Sequence, residues 1–149
     1  MPVTILNSQN HPINTKPLLL SARKALRSEG EPKAEVSIVL TDDETVHALN
    51  RDYRFQDKPT DVLSFSQRDQ HPDAQSFVGQ TDIGSEVLGD VVISVETAIR
   101  QAQQHAVTLE EELSLLTVHG ILHLLGYDDM TDEGAEEMQE KERALGVRK

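Results

Sequence analysis

Hydrophobic and polar positions change rhythm along this chain, and each change marks an element. Val3-Thr-Ile-Leu6 is a short strand candidate. Leu18, Leu19, Ala22, Ala25 and Leu26 then recur at helical spacing. Asn14-Thr-Lys-Pro17 opens that helix, with Pro17 at an early position, and Gly30 with Pro32 closes it. Glu35-Val-Ser-Ile-Val-Leu40 alternates and then runs apolar, as a strand does. Thr41 and Glu44 have the spacing of a capping box, and Val46, Leu49 and Tyr53 supply a helical face behind it. This strand–helix–strand order predicts parallel neighbours.

Val62 to Phe65 is the next strand, and residues 66–86, polar and containing Pro72, Gly79 and Gly84, read as a long loop. Val87-Leu-Gly-Asp-Val-Val-Ile-Ser94 is a strand whose unbroken apolar run predicts burial on both faces. From there the pattern is helical. Ser94 caps a helix over Val95–Ala106, and Thr108 with Glu111 forms a capping box for the next. That helix is apolar nearly all round (Leu113, Leu116, Val118, Ile121, Leu122 and Leu125 among others), which predicts a central buried position. Gly126 ends it. Thr131-Asp-Glu opens a last acidic helix to about Leu145, with Ala135, Met138 and Leu145 as a weak stripe.

Length and composition narrow the class. At 149 residues the expectation is one domain, 1–149. No apolar run approaches the ~20 residues of a membrane span. The N-terminus shows no basic region followed by a long apolar stretch, and there are no cysteines, so a cytoplasmic protein without disulfides is expected. Any metal must be held by His, Asp or Glu. The formal charge of -12 is uneven: Lys+Arg against Asp+Glu is 9 to 11 over residues 1–75 and 5 to 15 over residues 76–149. A polyanion would therefore not be held by the average field. It would need a local basic patch in the first half, such as Lys16, Arg23, Lys24 and Arg27 on the first helix, a set that also reads as an ordinary solvated face.

Chemistry concentrates in His119-Gly-Ile-Leu-His-Leu-Leu-Gly-Tyr-Asp-Asp129. Histidines four apart in a helix share one face, one turn apart. Two imidazoles on an apolar helix are costly without partners. The Gly126 turn would bring Asp128 and Asp129 toward the same point, giving two nitrogen donors and one oxygen donor. Zinc suits that set, and a free fourth position would let it activate water. Gly120 stands where a His-Glu-x-x-His protease carries its general base, which counts against proteolysis. The glycine could admit a substrate or a packing neighbour. Arg54, with Lys58 nearby, is the candidate cation for a phosphate, or else a surface partner of Asp52 or Asp57. His11, His47, His71 and His105 stand alone and read as surface or structural.

These residues carry a resemblance to the YbeY family of bacterial endoribonucleases, whose signature is His-Gly-x-Leu-His-Leu-x-Gly-Tyr-Asp-His. Asn50, Tyr53-Arg54, Asp57-Lys-Pro-Thr-Asp-Val-Leu-Ser-Phe65 and Leu88-Gly-Asp-Val-Val-Ile93 resemble its other blocks in the same order. The resemblance implies an α+β, zincin-like fold: a mixed four-stranded sheet, about five helices and a central metal-binding helix. It implies a metal-dependent, single-strand-specific RNA hydrolase acting in 16S rRNA 3′-end maturation and ribosome quality control. Its partners would be rRNA, the small ribosomal subunit and assembly factors, with neither DNA nor membrane. His119 and His123 match two ligands of one Zn²⁺ (or Mn²⁺ or Ni²⁺), and Arg54 matches the family's arginine near the site.

One position departs. The third ligand of the signature is histidine, and here it is Asp129. A carboxylate lowers the charge of the site and tolerates harder ions somewhat better. Asp129 could bind directly, bind through water or leave the site weaker, while Asp128 would support the turn. Two other functions stay open at this stage: a metal hydrolase of amide or peptide bonds, and a non-catalytic ribosome-assembly factor with a structural metal.

Overall fold

The computed structural model describes residues 3–67 and 87–148. Most of the expected 66–86 loop lies outside them. Four strands, β1 (Val3–Asn7), β2 (Glu35–Thr41), β3 (Val62–Ser66) and β4 (Val87–Ser94), form a sheet in the order β1-β2-β4-β3. β1 and β2 are parallel, as the strand–helix–strand order predicts; β2 and β4 are also parallel, and β3 runs antiparallel along β4. The sheet is thus mixed, and the fold is α+β with five helices among the described residues: α1 (Lys16–Ser28), α2 (Asp43–Arg54), α3 (Val95–His105), α4 (Leu109–Leu124) and α5 (Asp132–Ala144). No described helix is long and apolar enough to cross a membrane.

Alternation along the strands splits the apolar residues between two layers. Val36, Ile38, Leu40, Val91 and Ile93 point into the main core, where α1 and α4 pack. Val92 and Leu63 point the other way and meet Val46 of α2. β4 lies between two strands and is covered on both faces, as its apolar run predicts. α4 is the central helix, buried along most of its length. Its Thr108–Glu111 capping box is complete, with both hydrogen bonds at 2.8–3.0 Å. α1 packs directly against α4, with Lys16, Lys24 and Arg27 exposed.

Two expectations need correction. Thr41 does not cap α2: it is the last residue of β2, paired with Ser94, and Asp42 accepts the Thr45 N–H instead at 2.8 Å. Tyr53 does not join the buried face of α2, where Val46 and Asn50 lie, but is exposed on the last turn.

Candidate metal centre

α4 ends in a turn that fixes the site. Gly126 takes a left-handed φ of 104°, and its N–H donates to the His123 carbonyl at 3.0 Å. The next N–H, of Tyr127, donates to the Leu122 carbonyl at 3.0 Å. This pair of bonds closes the helix and reverses the chain. Asp128 then braces the turn, its carboxylate accepting the Met130 N–H at 3.1 Å. Gly134, in the first turn of α5, lets that helix close onto the bend, because a Cβ there would collide with the Asp128 carbonyl oxygen.

The result brings His119, His123 and Asp129 together. The two Nε2 atoms are 3.1 Å apart, and Asp129 Oδ2 lies 3.5 Å from one and 3.9 Å from the other. The point equidistant from these three atoms is about 2 Å from each, a normal zinc bond to nitrogen or oxygen. The donor set and its dimensions therefore fit one divalent ion, and Asp129 stands within direct bonding range.

His119 is held from behind. Its Nδ1 is 2.7 Å from Oε2 of Glu142, a fully buried carboxylate, and Oε1 of Glu142 accepts from Arg148 Nε at 2.7 Å. An ionised carboxylate only accepts, so Nδ1 carries the proton and Nε2 is the atom left to face the centre. Burial alone would lower the His119 pKa, but the Glu142 hydrogen bond and charge, with Asp129 and Asp61, raise it above the ordinary value. Burial likewise opposes ionisation of Glu142, yet His119 and Arg148 hold its carboxyl below the usual range. His123 moves the other way. Burial and then the neighbouring His119 lower its pKa, partly offset by Asp129 and the Tyr127 backbone. Adjacent imidazoles thus sit in opposite environments, one favouring a proton and one resisting it.

Sequence reading missed Glu142 and Arg148. The signal was there: Ala135, Met138, Glu142 and Leu145 follow one helical stripe, so one member of a buried face is an acid. Gly120 now has one explanation. A Cβ there would lie 2.5 Å from Val91 Cγ1 and 3.2 Å from Ser64 Oγ, so the glycine lets α4 press onto β3 and β4.

Arg54 does not pair with Asp52 or Asp57, which meet Arg51 and His47 instead. Its guanidinium donates to the Ser64 carbonyl of β3 and lies 5.8 Å from the centre of the Phe65 ring. Ser64 Oγ in turn donates to the carbonyl of Gly120, next to His119, at 2.8 Å. The Arg54 charge is near enough to disfavour protonation of His123. Of the remaining histidines, His47 and His105 pair with Asp57 and Glu112 at 2.7 Å, His11 is exposed, and His71 lies outside the described residues. A cavity of about 550 Å³ lies at the other end of α4, against His105, Thr108, Glu112, Val147 and Arg148, away from the donor triangle.

An α+β sheet whose buried helix presents two histidines to an aspartate beyond a glycine turn defines a class: small proteins with a candidate metal site on a central helix. Residues 4–148 match the family described as Endoribonuclease YbeY, and the chain belongs to that family. It is 47% identical to Endoribonuclease YbeY of Moorella thermoacetica over 76% of this chain and 71% of that one. With the Pelotomaculum thermopropionicum protein of the same name it shares 43% identity, over 97% and 95% of the two chains. The solution structure of TM1509 from Thermotoga maritima superposes with a TM-score of 0.59 at 26% identity, covering 96% of this chain and 85% of the other.

Proposed function

We propose that this protein is an endoribonuclease that hydrolyses phosphodiesters in single-stranded RNA with one divalent ion, and that it works in the cytoplasm on the 3′ end of 16S rRNA and in ribosome quality control. The observation that carries the reading is the triangle of His119 Nε2, His123 Nε2 and Asp129 Oδ2 with the Arg54 guanidinium nearby. The names of its relatives support the endoribonuclease part.

A divalent ion in that triangle, zinc by the donor set, would supply Lewis acidity toward water and the phosphoryl oxygens. The residues do the rest. Glu142 keeps the His119 proton on Nδ1, so Nε2 stays available as a donor. Asp129 adds negative charge on the open side. In this reading Arg54 holds a phosphate oxygen and offsets charge that grows as the phosphodiester is attacked. Peptide hydrolysis is disfavoured because the position after His119 is a glycine packed against Val91, leaving no acid there to serve as base.

The test is cleavage of a single-stranded RNA and of a mixed peptide library by the Zn²⁺- or Mn²⁺-loaded protein, beside His123→Ala. RNA cleavage by the wild type alone, with peptides untouched, is expected. Equal RNA cleavage by His123→Ala would sink the proposal.

A further inference from the structure

Aromatic residues are scarce here: the chain has two tyrosines, three phenylalanines and no tryptophan. Tyr53 and Phe55 flank Arg54 in the chain, and Phe65 lies under its guanidinium. Phe65 is half-buried against the Val46–Leu63–Val92 cluster. Tyr53 meets it edge to face, with ring centres 6.1 Å apart and planes at 81°. Arg54 approaches the same ring, then reaches the metal centre through Ser64 and Gly120. Outside this arrangement Tyr53 is 68% exposed and Phe55 88% exposed.

Phe55 is the anomaly. It ends α2 in the left-handed region, at φ 58° and ψ 32°, where the next N–H, of Gln56, donates to the Asn50 carbonyl at 3.1 Å. Glycine or asparagine suits that position, and a bulky side chain is disfavoured. Ala106 has the same backbone at the end of α3 but carries only a methyl. Phe55 is disfavoured by its backbone and gains little from burial, so folding does not account for a phenylalanine there. Such an outlier beside a candidate site points to function.

The surrounding charges indicate what the rings meet. Asp52 and Asp57 are engaged by Arg51 and His47, whereas among the described residues the contacts of Arg54 are a carbonyl and a ring, both neutral. An available cation beside exposed rings suits a phosphate and its base. A protein hot spot would gather its anchors on a well-packed, desolvated patch, whereas these rings stand among exposed charged side chains. We infer that Tyr53 and Phe55, backed by Phe65, form a stacking platform for an unpaired nucleobase next to the phosphate that Arg54 holds. The inference rests on the endoribonuclease reading. Every base offers a π-face, so stacking is tolerant of sequence. In a duplex those faces are covered, so the platform favours single strands.

Steady-state cleavage of a short single-stranded RNA by the metal-loaded protein tests this, for the wild type, Tyr53→Ala, Phe55→Gly and Phe55→Trp, with a thermal melt of each. Phe55→Gly and Tyr53→Ala should raise KM about ten-fold with kcat nearly unchanged, and Phe55→Trp should keep the wild-type KM. The Tm of Phe55→Gly should hold or rise. Wild-type KM in both Phe55→Gly and Tyr53→Ala overturns the platform and leaves the patch to a protein partner. A steep loss of Tm in Phe55→Gly overturns it too, because the ring would then be structural. If the wild type cleaves no RNA, the endoribonuclease reading itself has failed.

Discussion

His119 is backed by a carboxylate sealed inside the protein, whereas Arg54, linked to the same site through Ser64, comes from an exposed helix end. The first side is a relay of 2.7 Å contacts, Arg148 to Glu142 to His119, running from the C-terminal segment to the imidazole. The second is a guanidinium resting on a strand carbonyl and a ring. Donors meant for an ion need fixed geometry, and burial with second partners supplies it. A group meant for a flexible polyanion needs access and a charge not already neutralised. On the proposed reading, the difference teaches that ion binding and substrate binding can be disturbed separately.

The largest expected effect is on catalysis. Arg54→Ala should slow RNA cleavage by about 10²–10³-fold, the scale of losing one fixed charge-stabilising donor, while zinc affinity by calorimetry stays at the wild-type value. A fall in both would join the two sides that the comparison separates. Next comes Glu142→Gln. An amide keeps an acceptor for His119 Nδ1 but loses the charge, and zinc affinity should drop roughly 10–100-fold. Wild-type affinity would make Glu142 a packing residue only.

The smallest effect lies away from the site, where Asp43 accepts hydrogen bonds from Ser94, Thr97 and Arg100 and ties α2 to α3. Burial alone would raise its pKa, but these bonds hold it below the ordinary value. A depressed folded-state pKa contributes stability that is full above the unfolded value, about 3.9. That stability is lost as pH falls through the folded one. Asp43→Asn should therefore lower stability near neutral pH and shrink the loss of stability on acidification, followed by urea unfolding. An unchanged acid limb would show that Asp43 does not couple the helices.

Much of this was legible because the signals were local. The His119–His123 spacing, the Gly126 stop and the Thr108–Glu111 box each lie within a few residues of one another. The α2 cap was misread by one position because Thr41 and Asp42 are both good caps. The choice fell to the sheet, which takes Thr41 as the partner of Ser94. Gly120 could not be resolved from sequence, since its neighbours Val91 and Ser64 come from distant strands. Glu142 lies on a legible helical stripe, but its pairing with His119 on another helix does not show in the sequence. An acid in an acidic helix looks solvated until tertiary packing places it beside His119.

The account stands on His119, His123 and Asp129 sharing one ion, and titrating metal-free protein with Co²⁺ tests that most directly. Visible absorption reports coordination number, and its saturation reports stoichiometry. One ion per chain with a four-coordinate spectrum is expected for the wild type, a weaker or altered spectrum for Asp129→Ala, and none for His123→Ala. A wild-type protein that takes up no cobalt, or a His123→Ala variant with an identical spectrum, would contradict it.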